Sequence, residues 1–436
     1  MTDVDATGLP PKTIPDFVKS PRGMEPQNQP DVAVAQDWMH DLDAYVRKTG
    51  LAGYDPFDVK QHPLIRKAQP YAPLRKLTSG LCDLMPHLTR RALGVAQTEN
   101  PKAHALMAIG RLRMFEITLA EAYLAEARDH LAWLDTHRTQ GYTGDCWGYP
   151  FHVFARGVDT PAGTPVLVVC AIAGEALLEA HRITGEDAYA DAAARVAAFV
   201  CEHIPRRAGP EGTHCFGYTP EDHRRVHNAN LLGAELLYRV AAVTNDDALR
   251  ELAEPALHYT LQHQRDDGAW HYGVWEEGEP YDRGNLAMID HHHTGFVLRS
   301  LYGIHEVTGN DGTAKAMARG FSYYRNELYG PFGMPVNAWG RYPVDIHACA
   351  ESVLCPAVLA GWRRASLDMA TLGLRWAHWY MRRPSDGAPY YRKHRFFTSR
   401  IVFPRWGVAW MYRAMAEYLH AMTNGGEVGH VSGKSW

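Results

Sequence analysis

The chain is short of the features that announce a protein's class. Its seven cysteines (Cys82, Cys146, Cys170, Cys201, Cys215, Cys349 and Cys355) form no Cys-x-x-Cys pair and fall at irregular spacing. That argues against a disulfide framework and against the common zinc motifs, and free thiols fit a reducing compartment. No apolar run reaches membrane-spanning length; Val166 to Leu178 is too short and carries Glu175. The first residues have neither the basic stretch nor the apolar core of a secretory signal, so a cytoplasmic location is expected. The net charge of −4 offers no basic excess for gripping phosphates, which excludes the ordinary nucleic-acid partner. No Asp-x-Asp-Asp acid motif of a terpene cyclase occurs.

What is present is a globular composition, 46% hydrophobic and 22% charged over 436 residues, with 24 histidines. That length suits two domains or one repeat domain. Residues 1–30 hold several prolines and no periodicity, and read as an irregular arm. Apolar spacing predicts helices over about 32–47 and 73–93, the second with Leu77, Leu81, Leu84 and Leu88 on one side. Tyr54-Asp55-Pro56-Phe57-Asp58 between them reads as a turn.

From Lys102 the pattern turns regular: helix, short turn, helix, then a Gly-bearing aromatic loop. Helix pairs are expected at 102–119 and 121–137, 164–184 and 187–203, 228–244 and 246–264, 290–308 and 311–328, and 345–361 and 367–382. A last helix is expected over 404–422. Thr184-Gly185-Glu186-Asp187 and Thr308-Gly309-Asn310-Asp311 put Gly after one helix and Asp before the next, which is helix-stop and helix-start chemistry. The period of roughly 55–70 residues suits helical hairpins with functional loops. The first helix of each pair is apolar nearly all round, as in Val166–Ala173, and the second is amphipathic. The expected fold is therefore all-α, an (α/α)6 barrel or toroid with minor strand content in loops. It spans 31–422 as one domain, with a flexible tail over 423–436. The N-terminal helices would close the ring against 404–422.

The predicted inner helices begin with polar groups: His227, Asn228 and Asn230; Asp290, His291, His292 and His293; Asp345, His347 and Glu351; Arg405 and Trp406. Any one of them reads as a helix cap. Caps do not need accompanying His and Arg, and a toroid would aim all these helix starts at one mouth. Asp290 and Asp345 open consecutive inner helices and could divide the roles of acid and base. Glu351 lies deeper and reads as a buried structural acid. His293 and His227 are further catalytic candidates. Asn228, Asn230, His347 and Arg405 are candidates for holding a substrate, Arg405 by pairing a carboxylate. Trp147, Tyr149, Trp270, Tyr272, Trp339, Tyr342, Tyr390, Tyr391 and Trp406 lie in loops or at helix starts, where flat rings can stack on sugars or steady carbocations. Successive helical residues diverge by about 100°, so the His triplet is no metal site by itself. His214 or Cys215 with His347 or Cys349 has no recognised ligand spacing. No metal and no cofactor are expected.

Gln264-Arg265-Asp266-Asp267-Gly268-Ala269-Trp270 resembles the Gln–Trp motif of squalene cyclase and prenyltransferase repeats, which ties adjacent hairpins together. A wider set of segments resembles the VpsJ-like proteins of bacterial exopolysaccharide clusters. They are Tyr54–Asp58, Cys146-Trp147-Gly148-Tyr149-Pro150-Phe151, His227–Ala234, Ile289–Phe296, Asp345-Ile346-His347-Ala348 and Arg405–Met411. That resemblance implies a toroid like those of unsaturated glucuronyl hydrolases, polysaccharide lyases and glucuronyl epimerases. The implied function is a carbohydrate-active enzyme on a uronate-bearing glycan, with hydrolysis by Asp290 and Asp345 as the first expectation. A lyase or C5-epimerase would instead use Tyr or His as base, with Asn228 and Arg405 neutralising the carboxylate. A prenyl or terpene cyclase and a non-catalytic glycan-binding subunit are the other readings. The expected partner is an oligo- or polysaccharide, with no nucleic acid and no membrane span.

Overall fold

A computed structural model describes residues 32–68, 71–155, 158–276 and 283–423. The proposed arm and almost all of the proposed tail lie outside them. Helices α1 (Val32–Thr49), α2 (Pro63–Ala68), α3 (Ala72–Leu84) and α4 (Pro86–Ala92) precede the first regular pair, α5 (Pro101–Thr118) and α6 (Glu121–Thr136). The next pairs are α7 (Leu167–Thr184) with α8 (Asp187–His203), and α9 (His227–Thr244) with α10 (Asp247–Gln262). After the short α11 (Arg283–Leu286) come α12 (His291–Thr308) with α13 (Asp311–Glu327), α14 (Ile346–Val358) with α15 (Ser366–Met381), and finally α16 (Trp410–Thr423).

Helices α5, α7, α9, α12, α14 and α16 each pack on the next, and α16 packs back on α5, closing an inner ring of six. Helices α6, α8, α10, α13 and α15 each back their own inner partner, and α1 backs α16. The all-α (α/α)6 expectation therefore holds, with the ring closed by chain ends far apart in sequence. Trp38 Nε1 donates to the Gly387 carbonyl at 2.7 Å, and Arg382 pairs with Asp41 across the same seam. The strands are two or three residues long and join the loops before the inner helices: Arg225–Val226 pairs Gly273–Val274, and Val344–Asp345 pairs Arg392–Lys393.

Local chemistry explains the boundaries. Gly185 and Gly309 adopt left-handed φ at the ends of α7 and α12, and Asn245 does the same after α9. The cap of α13 is Asn310, which accepts from the Thr313 N–H at 3.0 Å. Asp187 and Asp311 thus sit one position inside their helices rather than at the cap, where they favour the positive helix end. The single helix expected over 73–93 is broken at Met85, because Pro86 disfavours helical geometry in the residue before it. Gln264 Nε2 donates to the carbonyls of Gly268 and Ala316, both at 2.9 Å, and so ties the end of α10 to α13.

Ion pairs fill the ring interior below the mouth. Glu351 is fully buried and takes Arg299 at 2.7 Å, while Glu179 takes Arg113 at 2.9 Å and also Arg239. Arg413 pairs with Glu175. Glu351 is thus a partnered structural acid. Close helix approach needs small residues: a Cβ on Gly110 of α5 would sit 2.6 Å from the Tyr412 ring of α16. Gly110→Ala is expected to cost about 1–3 kcal/mol, read as a lowered thermal midpoint with an unchanged far-ultraviolet spectrum.

Candidate functional site

The inner helix starts do converge. Asp290 caps α12: its Oδ1 accepts the His293 N–H at 2.7 Å, and its Oδ2 lies 2.5 Å from His293 Nδ1. His292 Nδ1 is 3.5 Å from the same carboxylate. The carboxylate, 3% exposed, thus orients two imidazoles at once. The third member of the triplet turns away, as helical geometry requires. His291 Nδ1 lies 2.8 Å from the Leu328 carbonyl and its Nε2 lies 2.7 Å from Tyr324 Oη; burial pulls its pKa down to about 3. His291 is structural.

His292 passes the cluster on to α14 and α16. Its ring stacks on His347 at 4.6 Å, and His347 stacks on Trp410 at 4.6 Å and meets Trp406 edge-on at 4.5 Å. His347 is 2% exposed, yet neither ring nitrogen has a hydrogen-bond partner among the described residues. Burial, with neighbouring cationic groups on Lys102 and Arg405, holds that imidazole well below its ordinary pKa, so it stays neutral.

Asp345 lies in the same cluster but is tightly engaged. It accepts the His347 N–H at 3.0 Å, Trp406 Nε1 at 2.6 Å and Arg392 Nε at 2.8 Å. Arg405 and Trp406 occupy a π-helical turn, Pro404–Ala409, before α16; such turns re-aim side chains and recur at functional sites. Arg405 is held by Asp55 through two bonds, at 2.5 and 2.8 Å, and its third nitrogen, Nη1, is buried without a partner among the described residues. The guanidinium lies over Tyr149 and Trp406, with centroid distances of 5.0 and 4.9 Å.

On the α9 side, His227 Nδ1 is 3.2 Å from Thr260 Oγ1, and burial takes its pKa down to about 3. The Asn228 Oδ1 is buried without a partner. His227, Asn228, Trp270, Tyr272, Asp290 and His293 line one small pocket, and the Tyr272 ring lies 4.5 Å from His293. Two candidates fall outside this gathering. Asn230 spends its amide on the Phe216 N–H, the Ala256 carbonyl and Thr260. Trp147 is a core residue whose Nε1 donates to the Leu134 carbonyl at 2.9 Å. Both hold loops in place.

Lys102 is the residue that sequence reasoning passed over. It opens α5 behind Asn100-Pro101, is 3% exposed, and makes no side-chain hydrogen bond or ion pair among the described residues. Its ammonium lies 5.5 Å from the Trp410 ring centroid. Burial, reinforced by Arg405, drives its pKa well below the ordinary lysine value. Its available signal was position, since it stands at an inner helix start as Asp290 and His227 do. The mouth therefore gathers polar atoms without a partner among the described residues from Asn228, His347 and Arg405, beside the buried Lys102, a pattern that calls for a polar ligand or water. Among the described residues, Asp290, His292 and His293 are the one group whose donor atoms lie close enough, within 4.8 Å, to hold a metal ion. The combination of His214 or Cys215 with His347 or Cys349 is not assembled.

No protein-family model matches the sequence, and no curated protein is similar to it. Solved structures are. Cellobiose 2-epimerase from Bacillus thermoamylovorans B4167 superimposes with a TM-score of 0.60 at 12% identity, over 89% of this chain and 99% of that one. An unsaturated glucuronyl hydrolase specific for heparin gives 0.58 at 13%, over 89% and 96%. A polysaccharide lyase, BACCELL_00875, gives 0.53 at 10%, over 92% and 99%. At such identities the likeness establishes the toroid and leaves the chemistry to be argued from the site.

Proposed function

We propose that the chain is a carbohydrate-active enzyme on an acidic, uronate-type sugar, and that it works by imidazole-mediated proton transfer, as an epimerase or lyase. The observation that carries this is the Asp290–His293 pair, a carboxylate fixing an imidazole beside a pocket. That is the base-and-orienter arrangement of general base catalysis. His293, held through Nδ1, would take the proton alpha to the sugar carboxylate with Nε2. The charge that develops on the carboxylate would be met by the buried Lys102 and by Arg405 Nη1, a donor with no acceptor among the described residues. His347, neutral and unpartnered, stands ready to exchange a proton with the intermediate. Trp406 and Tyr272 supply the ring faces on which a sugar can stack.

Hydrolysis by Asp290 and Asp345 is the weaker reading. A general acid must offer a proton, and Asp345 already accepts from Trp406, Arg392 and a backbone N–H. A terpene cyclase needs a dry aromatic chamber, which a mouth holding Lys102 and Arg405 does not suit. The exopolysaccharide setting implied by the resemblance to VpsJ-like proteins fits an acidic glycan and is part of this proposal.

Incubation with acidic oligosaccharides in deuterated water tests it. The expected result is deuterium at the carbon next to the carboxylate if the outcome is epimerisation, or an ultraviolet-absorbing unsaturated product if it is elimination. New reducing ends with neither exchange nor ultraviolet absorption would instead restore the hydrolase, and binding without any chemical change would leave a glycan-binding protein.

A further inference from the structure

Helix α3 is inside out. Its half-buried side, with Thr78, Cys82 and Asp83, borders a pocket shared with Arg392 and Trp406, while its leucines face solvent. Leu77 is 67% exposed, and Leu84 and Leu88 of the α3–α4 corner are 64% and 63% exposed. Leu64, Tyr71, Leu74, Leu81 and Met85 continue the same exposed strip. Leu74, Leu77, Leu81 and Leu84 follow the three- and four-residue spacing of one face of α3, an apolar stripe, and Leu88 stands exposed on α4 beyond the break at Met85. Folded monomers do not normally leave such a stripe uncovered.

A second exposed apolar point stands beside it. Residues 394–397 turn between the strands Arg392–Lys393 and Thr398–Ser399, and Phe396 near the tip is 89% exposed, with Phe397 also exposed. His394 and Arg392 both approach Asp83 of α3, at 3.7 and 3.9 Å, so hairpin and helix form one surface. The sequence of this surface is rich in cations: residues 63–92 hold six Lys and Arg against one acid, Asp83, and residues 392–400 hold four against none, in a chain whose net charge is −4. Arg90 is buried on Asp58, Arg66 pairs with Asp159 and Arg392 with Asp345, while Lys67, Arg91, Arg395 and Arg400 are exposed.

We infer that the α2–α4 strip and the Phe396 hairpin dock on an anionic lipid surface. The leucines and Phe396 enter the interface and the surrounding cations meet the headgroups. Protruding apolar side chains among Lys and Arg suit a headgroup layer, which receives both. A second copy of the chain would bring like charges together, which opposes a two-fold contact through this patch. The inference concerns residues away from the proposed chemistry and stands without it. It needs no spanning segment; among the described residues no helix is long and apolar enough to cross a membrane.

The test is co-sedimentation of the full chain with vesicles of phosphatidylcholine alone and of phosphatidylcholine containing about 30% phosphatidylglycerol. Binding is expected to the anionic vesicles, falling as salt rises. Leu77→Glu with Leu88→Glu should weaken it roughly tenfold or more. Phe396→Ala, confined to a loop tip, is the check if the double variant fails to fold, and it should weaken binding in the same direction. No binding, equal binding to both vesicles, or variants that bind like the wild type would overturn the inference. So would a stable dimer that the leucine substitutions dissociate.

Discussion

Asp290→Asn is expected to leave the ring folded and to lower kcat by about 10²–10⁴, the range seen when an imidazole loses its orienting carboxylate. The two effects separate because Asp290 does two jobs. As the cap of α12 it accepts the His293 N–H, and asparagine caps a helix about as well as aspartate, so stability should move by less than about 0.5 kcal/mol. As the partner of His293 Nδ1 it must accept a proton through Oδ2. An amide that presents its NH2 there favours the wrong tautomer and turns the ring nitrogen meant to act as base into a donor. The companion variant decides between mechanisms. Asp345→Asn keeps the acceptor for Trp406 Nε1 and weakens only the Arg392 contact, so proton transfer through His293 predicts a loss of about tenfold or less. An acid–base pair of carboxylates predicts severe loss in both. Matched kcat measurements with thermal midpoints read the difference, and a crippled Asp345→Asn beside an active His293→Gln would end the imidazole mechanism.

How far the sequence reveals this arrangement depends on the range of the interactions. The hairpin repeat was legible because its signals are local: Gly185 and Gly309 stop helices where they stand, and apolar spacing marks the buried faces. The gathering of Asp290, His293, His347, Arg405 and Trp406 was legible because a toroid brings its inner helix starts together whatever their sequence separation. The counter-ion of Arg405 was not. Asp55 looked like a turn residue, and its pairing spans the whole ring closure. Trp147 and Asn230 looked like site residues, yet their polar atoms found carbonyls and N–H groups of nearby loops, which satisfies a buried polar group as well as a ligand would. The leucines of α3 have a regular helical period, but period alone does not say which side of a helix is covered. Here the polar side packs inward.

Lys102→Met should raise stability while impairing substrate binding. A buried ammonium without a carboxylate partner is costly, and exchange for an apolar chain of similar length is worth about 1–4 kcal/mol where such charges have been replaced. The sign with pH follows from the lowered pKa. The folded chain binds fewer protons at Lys102 than the unfolded chain, whose lysine titrates near the ordinary 10.5. Wild-type stability therefore falls as pH drops from that value through the folded pKa, and the fall is complete below it. The advantage of Lys102→Met should accordingly be small in strong base and full at low pH, a trend that midpoints across a pH series would show. Function runs the other way. An acidic sugar placed against Lys102 provides the missing counter-charge, so binding should raise the amine's pKa and, at pH values where the free amine is unprotonated, draw a proton onto it. Calorimetry in buffers of different ionisation enthalpy should then report proton uptake by the wild type and none by Lys102→Met, together with a higher KM for the acidic substrate. Proton uptake unchanged by the substitution would mean that the anion is received elsewhere, and Lys102 would then be a destabilising residue with no part in recognition.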